Sequence, residues 1–142
     1  MKNEESREQS ALIKWAETST AKHPCLRLLF AIPNGGKRNL ITAVNMKREG
    51  VKSGVPDLFL AYPSKGFHGL FIEMKKRKGG RTSEAQYQWL ADLSKAGYQV
   101  AICAGWEEAK IMIEQYINGA PDTSDHDKLS NELTFSLHQF LK

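Results

Sequence analysis

Two short apolar runs near the middle of the chain constrain the fold more than any other feature. They read DLFLAY, which begins at Asp57, and GLFIEMK, which ends at Lys75. The six residues between them, PSKGFH, include the turn formers Pro, Ser and Gly. The sequence therefore predicts a β-hairpin whose turn is centred between Lys65 and Gly66.

The predicted hairpin brings charged side chains together at its open end. A turn at this position sets Asp57 across from Met74, so that the Asp57 and Glu73 carboxylates can approach each other. Side chains alternate along a strand, so Glu73 and Lys75 should face one side of the sheet while Met74 faces the other. Three charged groups are therefore expected to converge on one side of the sheet.

The apolar patterns around the hairpin alternate between the helical and the strand period. The predicted order is α, β, α, β, β, α, β, α, which is typical of an α/β domain in which helices flank a mixed central sheet. The elements predicted outside the hairpin are a helix from about Ser6 to Thr18, a buried strand LRLLFAI closed by the turn Pro33–Gly36, a helix capped by Asn39 and stopped by Gly50, a helix capped by Thr82 or Ser83 and ending at Gly97, a strand YQVAICA, and a helix from about Trp106 to Ile117.

Length and composition limit the class of protein. A chain of 142 residues, 41% hydrophobic and 25% charged, is expected to form one domain with its own core, here residues 1–118. Residues 119–142 form a polar, acidic tail in which LTFSLHQFL predicts a short helix. No apolar run is long enough for a membrane span, and the charged N-terminus lacks a signal-peptide pattern. We therefore expect a cytoplasmic protein with no membrane partner.

The predicted hairpin carries the side chains of a metal-dependent hydrolase. An Asp and a Glu on neighbouring strands provide hard oxygen ligands at the separation that Mg²⁺ requires. A cation held there polarises a phosphoryl group and stabilises the charge on the leaving oxygen. Lys75, on the same face, can orient the attacking water or stabilise developing negative charge. Asp57, Glu73 and Lys75 thus predict metal-assisted phosphodiester hydrolysis, although an Asp after Pro also commonly starts a turn.

A basic run follows the second strand and comprises Lys76, Arg77, Lys78 and Arg81. Such side chains bind the phosphate backbone of a nucleic acid, which sets affinity and position but not base sequence. The alternative is a solvated basic loop. The formal net charge of +4 is compatible with a polyanionic partner, and acidic residues outnumber basic ones after Pro121, so the rest of the chain is more basic than this figure.

These residues resemble those of the virus-type replication-repair nuclease (VRR-NUC) domain, a branch of the PD-(D/E)xK nuclease superfamily, in its stand-alone phage-like form. The resemblance covers about residues 5–118 and rests on the segments ESREQSALIKWA, FAIPNGG, KREGVKSGVPDLFL, LFIEMKKRKGGRTSEAQYQWL and AGYQVAICAGWEEA. It implies a restriction-endonuclease-like α/β core with a mixed sheet, and a nuclease active site.

The resemblance also implies the roles of individual residues. Asp57 and Glu73 would bind Mg²⁺ or Mn²⁺, the Met74 carbonyl would complete the metal shell, and Lys75 would be the catalytic lysine. A further acid comes from the first helix. We place it at Glu5, which stands four residues before a glutamine in the Glu-x-x-x-Gln pattern of the family, while Glu8 competes for the role.

Two further segments match the family. Gln86 corresponds to the helix glutamine that approaches the active site, whereas the residues alone equally predict a capping box with Ser83. The turn PNGG matches a turn that we expect to shape the DNA-binding surface. Its predicted nucleic-acid-binding residues, with the two cations that follow, are Asn34, Gly35, Gly36, Lys37 and Arg38.

The resemblance finally implies a structure-selective DNA endonuclease that cuts four-way (Holliday) junctions or related branched DNA as a homodimer. A symmetric four-way junction requires two matched active sites, and one domain of this size offers one. The apolar hairpin and the second helix are the candidate dimer surfaces. Two other functions stay open at this point: a non-catalytic DNA-binding module of the same fold, and a sequence-specific restriction-type endonuclease.

Overall fold

The computed structural model of the protein describes residues 4–33 and 40–118. Its elements are α1 (Glu4–Thr18), a short 3-10 helix (Pro24–Leu28), β1 (Leu29–Ala31), α2 (Leu40–Arg48), β2 (Leu58–Leu60), β3 (Leu70–Lys75), α3 (Glu84–Lys95), β4 (Gln99–Ala104) and α4 (Trp106–Asn118). The predicted order of helices and strands is confirmed, with the 3-10 helix added before β1. The predicted cap Asn39 and the tail from residue 119 onward, with its short helix, lie outside the described residues. None of the helices described is long and apolar enough to cross a membrane.

The four strands form one mixed sheet in the order β1-β2-β3-β4. β2 is antiparallel to both of its neighbours, and β4 is parallel to β3. α1 and α4 pack together on one face, and α3 covers the opposite face. This architecture confirms the predicted α/β class with a mixed sheet flanked by helices.

The main core lies between the sheet and the pair α1 and α4. Apolar side chains from one face of β2, β3 and β4 are removed from water there together with side chains of both helices. Its largest members are Leu12, Leu58, Leu60, Leu70, Ile72, Met74, Ile113 and Tyr116. Because Ile72 and Met74 point into this core, strand alternation leaves Glu73 and Lys75 on the face covered by α3, as predicted.

The hairpin turn forms where the sequence predicts it. Lys65 and Gly66 both have positive φ, at 53° and 83°, and Ser64 pairs with Phe67 in an isolated bridge across the turn. Two consecutive residues of positive φ are typical of the tight turns whose twist matches that of antiparallel strands.

The strands beyond this turn pair one residue out of the predicted register. Between the turn bridge and the paired strands, three residues on the first strand face two on the second, so the hairpin contains a bulge. Leu58 consequently pairs with Ile72. Continuing this register by one residue sets Asp57 opposite Glu73, so the prediction that Asp57 faces Met74 is wrong. The two carboxylates lie on the same face as a result, since opposite residues of a sheet share a face.

The segment LRLLFAI is not the buried strand that its composition predicts. Pro24 begins the 3-10 helix, where its missing N–H costs no hydrogen bond, and that helix lasts to Leu28. The strand β1 is only three residues long and lies at the edge of the sheet. Phe30 is 49% exposed in it. An edge strand has a neighbour on one side only, so apolar composition does not ensure burial here.

The helix α2 exposes apolar side chains. Ile41 is 74% exposed and Val44 is 45% exposed. The helix ends at Arg48, two residues before Gly50, whose φ is 103°. The predicted C-terminal stop at Gly50 is confirmed, but the apolar stripe of this helix is not covered by the described chain.

Candidate active site

The charged end of β3 faces the first turn of α3. Glu73 and Lys75 are 2% and 7% exposed, so both charged groups are buried. Lys75 Nζ lies 3.5 Å from Glu73 Oε1 and donates a hydrogen bond to Gln86 Oε1 at 3.1 Å. Gln86 Nε2 donates in turn to Glu73 Oε1 at 2.8 Å. Three residues predicted as catalytic thus form one closed set of contacts.

Gln86 also fixes the start of α3. Its Oε1 accepts a hydrogen bond from Ser83 N at 2.8 Å, and Ser83 Oγ accepts one from Gln86 N at 3.2 Å. This is the capping box that the sequence offered as an alternative to an active-site role, and the same side chain also contacts Lys75 and Glu73. Because the same oxygen binds the Ser83 amide and the Lys75 ammonium, the helix start determines where Lys75 is held.

Asp57 is positioned by the segment before it, which packs on α3. Gly54, with φ of 86°, lies so close to Ala85 that an added Cβ would come within 2.8 Å of the Ala85 Cβ. Trp89 Nε1 donates to Ser53 O at 3.1 Å. Only glycine combines this φ with this close approach. The glycine of GVPD therefore brings Asp57 to the same helix that carries Gln86.

The two carboxyl groups influence each other's ionisation. Burial raises the pKa of Asp57, and the amide of Met74, which donates to Asp57 Oδ2 at 2.8 Å, opposes this effect. Burial, followed by the charge of Asp57, raises the pKa of Glu73 to about 8. Lys75 lowers both pKa values but does not offset burial. Without a bound cation, the pair therefore holds a proton more tightly than two separate exposed carboxyl groups would.

The first helix brings one acid toward this pair and uses another elsewhere. The negative charge of Glu5 contributes to the raised pKa of Asp57, which places Glu5 within electrostatic range of the site. Glu8 instead accepts hydrogen bonds from Arg77 Nε at 2.9 Å and from Trp106 N at 2.7 Å. Glu8 therefore has partners outside the carboxyl pair, and Glu5 as the further acid of the site stays a prediction.

Asp57 and Glu73 have the donor chemistry of a divalent-cation site. Glu73 Oε2 is buried and has no hydrogen-bond partner among the described residues. No group of three or more His, Cys, Asp or Glu side chains in residues 4–33 and 40–118 is close enough together to hold a metal ion. Mg²⁺ is nevertheless commonly bound by one or two carboxylates together with water and phosphate oxygens. The two residues fit that mode of binding, and the Met74 carbonyl as a further ligand stays a prediction.

The predicted nucleic-acid-binding residues differ in their surroundings. The exposed residues of the basic run include Lys76, Lys78 and Arg81. Arg77 forms ion pairs with Glu8 and Glu107, so its guanidinium already has two carboxylate partners within the chain. The turn residues Asn34, Gly35, Gly36, Lys37 and Arg38 lie outside the described residues.

Comparison with known proteins shows the family of the chain. The sequence model of the VRR-NUC domain matches residues 1–107, which is most of the chain. The chain belongs to the VRR-NUC family. A solved VRR-NUC domain protein superimposes with a TM-score of 0.70 and 29% sequence identity, over 82% of this chain and 89% of that chain. No curated protein matches the chain. VRR-NUC domains are nuclease domains, so the buried carboxylates and lysine belong to a nuclease domain that acts on DNA.

Sequence reasoning missed two residues near the site of this VRR-NUC domain. Gly105, between β4 and α4, has φ of 94° and lies beneath the Arg77 side chain, and Glu107 pairs with Arg77. The available signal was the segment GWEE, in which a glycine ends a strand and acids begin a helix. Its connection to Arg77 depends on tertiary packing that the sequence does not display.

Proposed function

We propose that the protein is a divalent-cation-dependent, structure-selective endonuclease that hydrolyses phosphodiester bonds of branched DNA, with the four-way junction as its preferred substrate. The observation that supports this most is the buried Glu73 carboxylate, with an unpartnered oxygen beside Asp57 and an ammonium group next to it. Burying charged groups in this way is costly for the fold. A DNA-binding module without catalysis would have no functional reason to keep these buried charged groups.

Asp57 and Glu73 are the residues that would hold Mg²⁺ or Mn²⁺, and Glu5 is the further acid that we propose for the site. The bound cation would polarise the scissile phosphate and stabilise the charge that builds on the leaving oxygen. Glu73 becomes a stable carboxylate in this buried place only when a positive charge offsets burial and the neighbouring Asp57. Binding of the cation is therefore coupled to the loss of a proton from this pair.

Lys75 and Gln86 complete the proposed chemistry. The ammonium of Lys75 is buried and held by Gln86 Oε1 and Glu73 Oε1, so its position is set before the substrate arrives. A preoriented cation can direct the attacking water or stabilise the negative charge of the transition state without reorganisation. Gln86 acts by holding Lys75 and Glu73 in place, and it is itself held by the helix cap.

A homodimer would supply the second active site that a symmetric junction requires. Of the two candidate surfaces, the hairpin has its apolar residues Leu58 and Ile72 inside the core of the same chain. The exposed Ile41 and Val44 of α2 remain available, and Phe30 is exposed on the edge strand β1. We therefore place the dimer surface on α2 and the edge strand.

The dimer surface is tested by sedimentation of matched variants. Ile41→Asp places a charge in the proposed interface and should convert the dimer to a monomer. Ile111→Asp is the control, because Ile111 is equally apolar and 55% exposed but lies on α4. If Ile41→Asp sediments like the wild type, the interface lies elsewhere.

Cleavage mapping tests the choice of substrate. Four-way junctions of unrelated sequence are incubated with the protein and Mg²⁺ or Mn²⁺, and the cut positions are read on each strand. Cuts at a fixed distance from the branch on every junction are expected. Cuts that follow a base sequence instead would make the protein a restriction-type endonuclease, which recognises base edges in a groove.

Removal of one carboxylate separates catalysis from binding. Glu73→Ala should abolish cleavage while much of the junction binding remains, because a cation ligand is removed and the exposed basic residues are kept. Glu84→Ala is a suitable control, since Glu84 is an exposed acid in the first turn of α3. Substantial cleavage by Glu73→Ala would show that the cation site is assigned wrongly.

A further inference from the structure

Glu8 joins three parts of the chain that are far apart in sequence. Its Oε1 accepts a hydrogen bond from Arg77 Nε at 2.9 Å, just beyond the end of β3. Its Oε2 accepts a hydrogen bond from Trp106 N at 2.7 Å, the first residue of α4. The side chain of Glu8 is 15% exposed, and its contact with Trp106 N is partly buried, whereas the Arg77 side chain is 53% exposed. One carboxylate thus links α1, the loop after β3 and the start of α4.

The turn before α4 is shaped to receive Arg77. Gly105 has φ of 94°, and a Cβ added to it would lie 3.2 Å from Arg77 Cγ and 3.5 Å from Arg77 Nε. The amide of Gly105 donates to Lys75 O at 3.1 Å, so the backbone of Lys75 is fixed to the same turn. A second carboxylate, that of Glu107, contacts the other end of the guanidinium. Arg77 and Glu8 therefore complete a ring of contacts that includes the main chain of Lys75.

The first turn of α1 lies outside the packed part of that helix. The buried residues of α1 are Leu12 and Ala16, and both follow Glu8 in sequence. Glu5 precedes Glu8 by three residues, so both lie on the same side of the helix. Helix ends open easily when they have few buried contacts. A contact at Glu8 is therefore well placed to hold the turn that carries Glu5.

We propose that Glu8 is a positioning residue of the nuclease site: by binding Arg77 and the N-terminus of α4, it holds the first turn of α1, which carries Glu5, against the loop that follows Lys75. This inference rests on the proposed function, because it gives Glu5 a role at the cation site. It assigns Arg77 to this ring of contacts and not to the binding of the DNA backbone.

Each of the two contacts of Glu8 has a physical reason to be stable. The N–H groups of the first helical turn have no partner within their own helix, and Trp106 N is one of these. A carboxylate placed there satisfies the amide and interacts favourably with the positive end of the helix dipole. The contact with Arg77 adds a charge-assisted hydrogen bond, which is stronger than a neutral one.

The anchoring step is tested by hydrogen exchange on the full-length protein. In Glu8→Ala the amides of the first turn of α1 should exchange about tenfold faster or more, while those of β3 and β4 keep their protection. Glu4→Ala is the matched control, because it removes an exposed acid from the same end of the helix. Gly105→Ala should act like Glu8→Ala, since it displaces Arg77. Unchanged exchange in Glu8→Ala would overturn the proposal.

The positioning step is tested by Mn²⁺ binding, followed by electron paramagnetic resonance without substrate. Glu8→Ala should weaken Mn²⁺ binding by about 10- to 100-fold, as is usual when a residue that orients a ligand is removed. Glu5→Gln should weaken it similarly, and the double variant should bind as Glu5→Gln does, since both changes remove the same contribution. Additive effects on Mn²⁺ affinity would mean that Glu8 acts independently of Glu5, which would overturn the proposal.

The two proposals fail in different ways. If the wild type binds no Mn²⁺ and cleaves no DNA, the proposed function fails, and with it the role of Glu5 at the cation site. If the wild type binds Mn²⁺ and cleaves DNA while Glu8→Ala retains both the exchange rate and the Mn²⁺ affinity of the wild type, the proposed function stands and the role of Glu8 is refuted.

Discussion

The buried carboxylate of Glu73 should make the metal-free protein less stable as the pH rises. Burial and the charge of Asp57 raise the pKa of Glu73 from 4.5 in the unfolded chain to about 8 in the fold. The folded state therefore binds this proton more tightly than the unfolded state does. The stability that this provides is complete below about pH 4.5 and is lost as the pH approaches 8.

The size of the effect follows from the pKa difference. Each pH unit between the two pKa values changes the free energy of unfolding by about 1.4 kcal/mol. Between pH 5 and pH 8 the metal-free protein should therefore lose about 4 kcal/mol, a large part of the stability of an ordinary domain. Asp57 contributes in the same direction, because burial raises its pKa too. Mn²⁺ should restore stability mainly at the upper end of this range, where the pair can ionise.

The assay is denaturant-induced unfolding in EDTA at intervals from pH 5 to pH 8. Glu73→Gln should remove most of the pH dependence and leave the smaller part due to Asp57. The variants are compared by the slope of the free energy of unfolding against pH. The free energy at a single pH is less informative, because glutamine at this position also leaves Lys75 without its carboxylate partner. Glu17→Gln, a change at an exposed acid of α1, should keep the slope of the wild type. The same slope in Glu73→Gln and the wild type would refute the reasoning.

Further substitutions distinguish the capping role of Gln86 from its role in cleavage, and the DNA-binding residues of the basic run from Arg77. Gln86→Ala and Ser83→Ala should each cost about 1 kcal/mol of stability through the helix cap, but only Gln86→Ala should also slow cleavage strongly; equal cleavage rates for these two variants would reduce Gln86 to a capping residue. Neutralising Lys76 and Lys78 should weaken junction binding. The slope of the logarithm of the binding constant against the logarithm of the salt concentration should become shallower by about one for each phosphate that is no longer bound. Arg77→Gln should leave that slope unchanged, because Arg77 is already paired; a flatter slope would show that it contacts DNA.

The local parts of the site could be predicted from the sequence. Glu73 and Lys75 belong to one strand, so strand alternation was enough to bring these two to one side of the sheet. Gln86 was predictable because a capping box has a fixed spacing from Ser83. The same residue types predicted a divalent cation and phosphodiester hydrolysis, and family resemblance then added Glu5 and the branched-DNA substrate, which the alternation of side chains does not specify.

Other features depended on packing that no local pattern displays. The bulge that places Asp57 opposite Glu73 leaves no signal in the sequence. The residues of β2 are apolar throughout, so its composition does not distinguish the observed register from the predicted one. The exposure of Phe30 follows from the edge position of β1, which is a property of the whole sheet. Arg77 looks like its basic neighbours in sequence, and only the fold brings Glu8 to it, across a separation of 69 residues.

Cation-dependent DNA cleavage through Lys75 is best tested by comparing the wild type with Lys75→Ala. Labelled four-way junction, flap and linear duplex DNA are incubated with each protein in Mg²⁺, in Mn²⁺ and in EDTA, with Lys95→Ala as a control at an exposed lysine in the last turn of α3. Cation-dependent cutting of the junction is expected for the wild type and for Lys95→Ala, and none for Lys75→Ala. Junction binding by the wild type without cutting in either cation would contradict it.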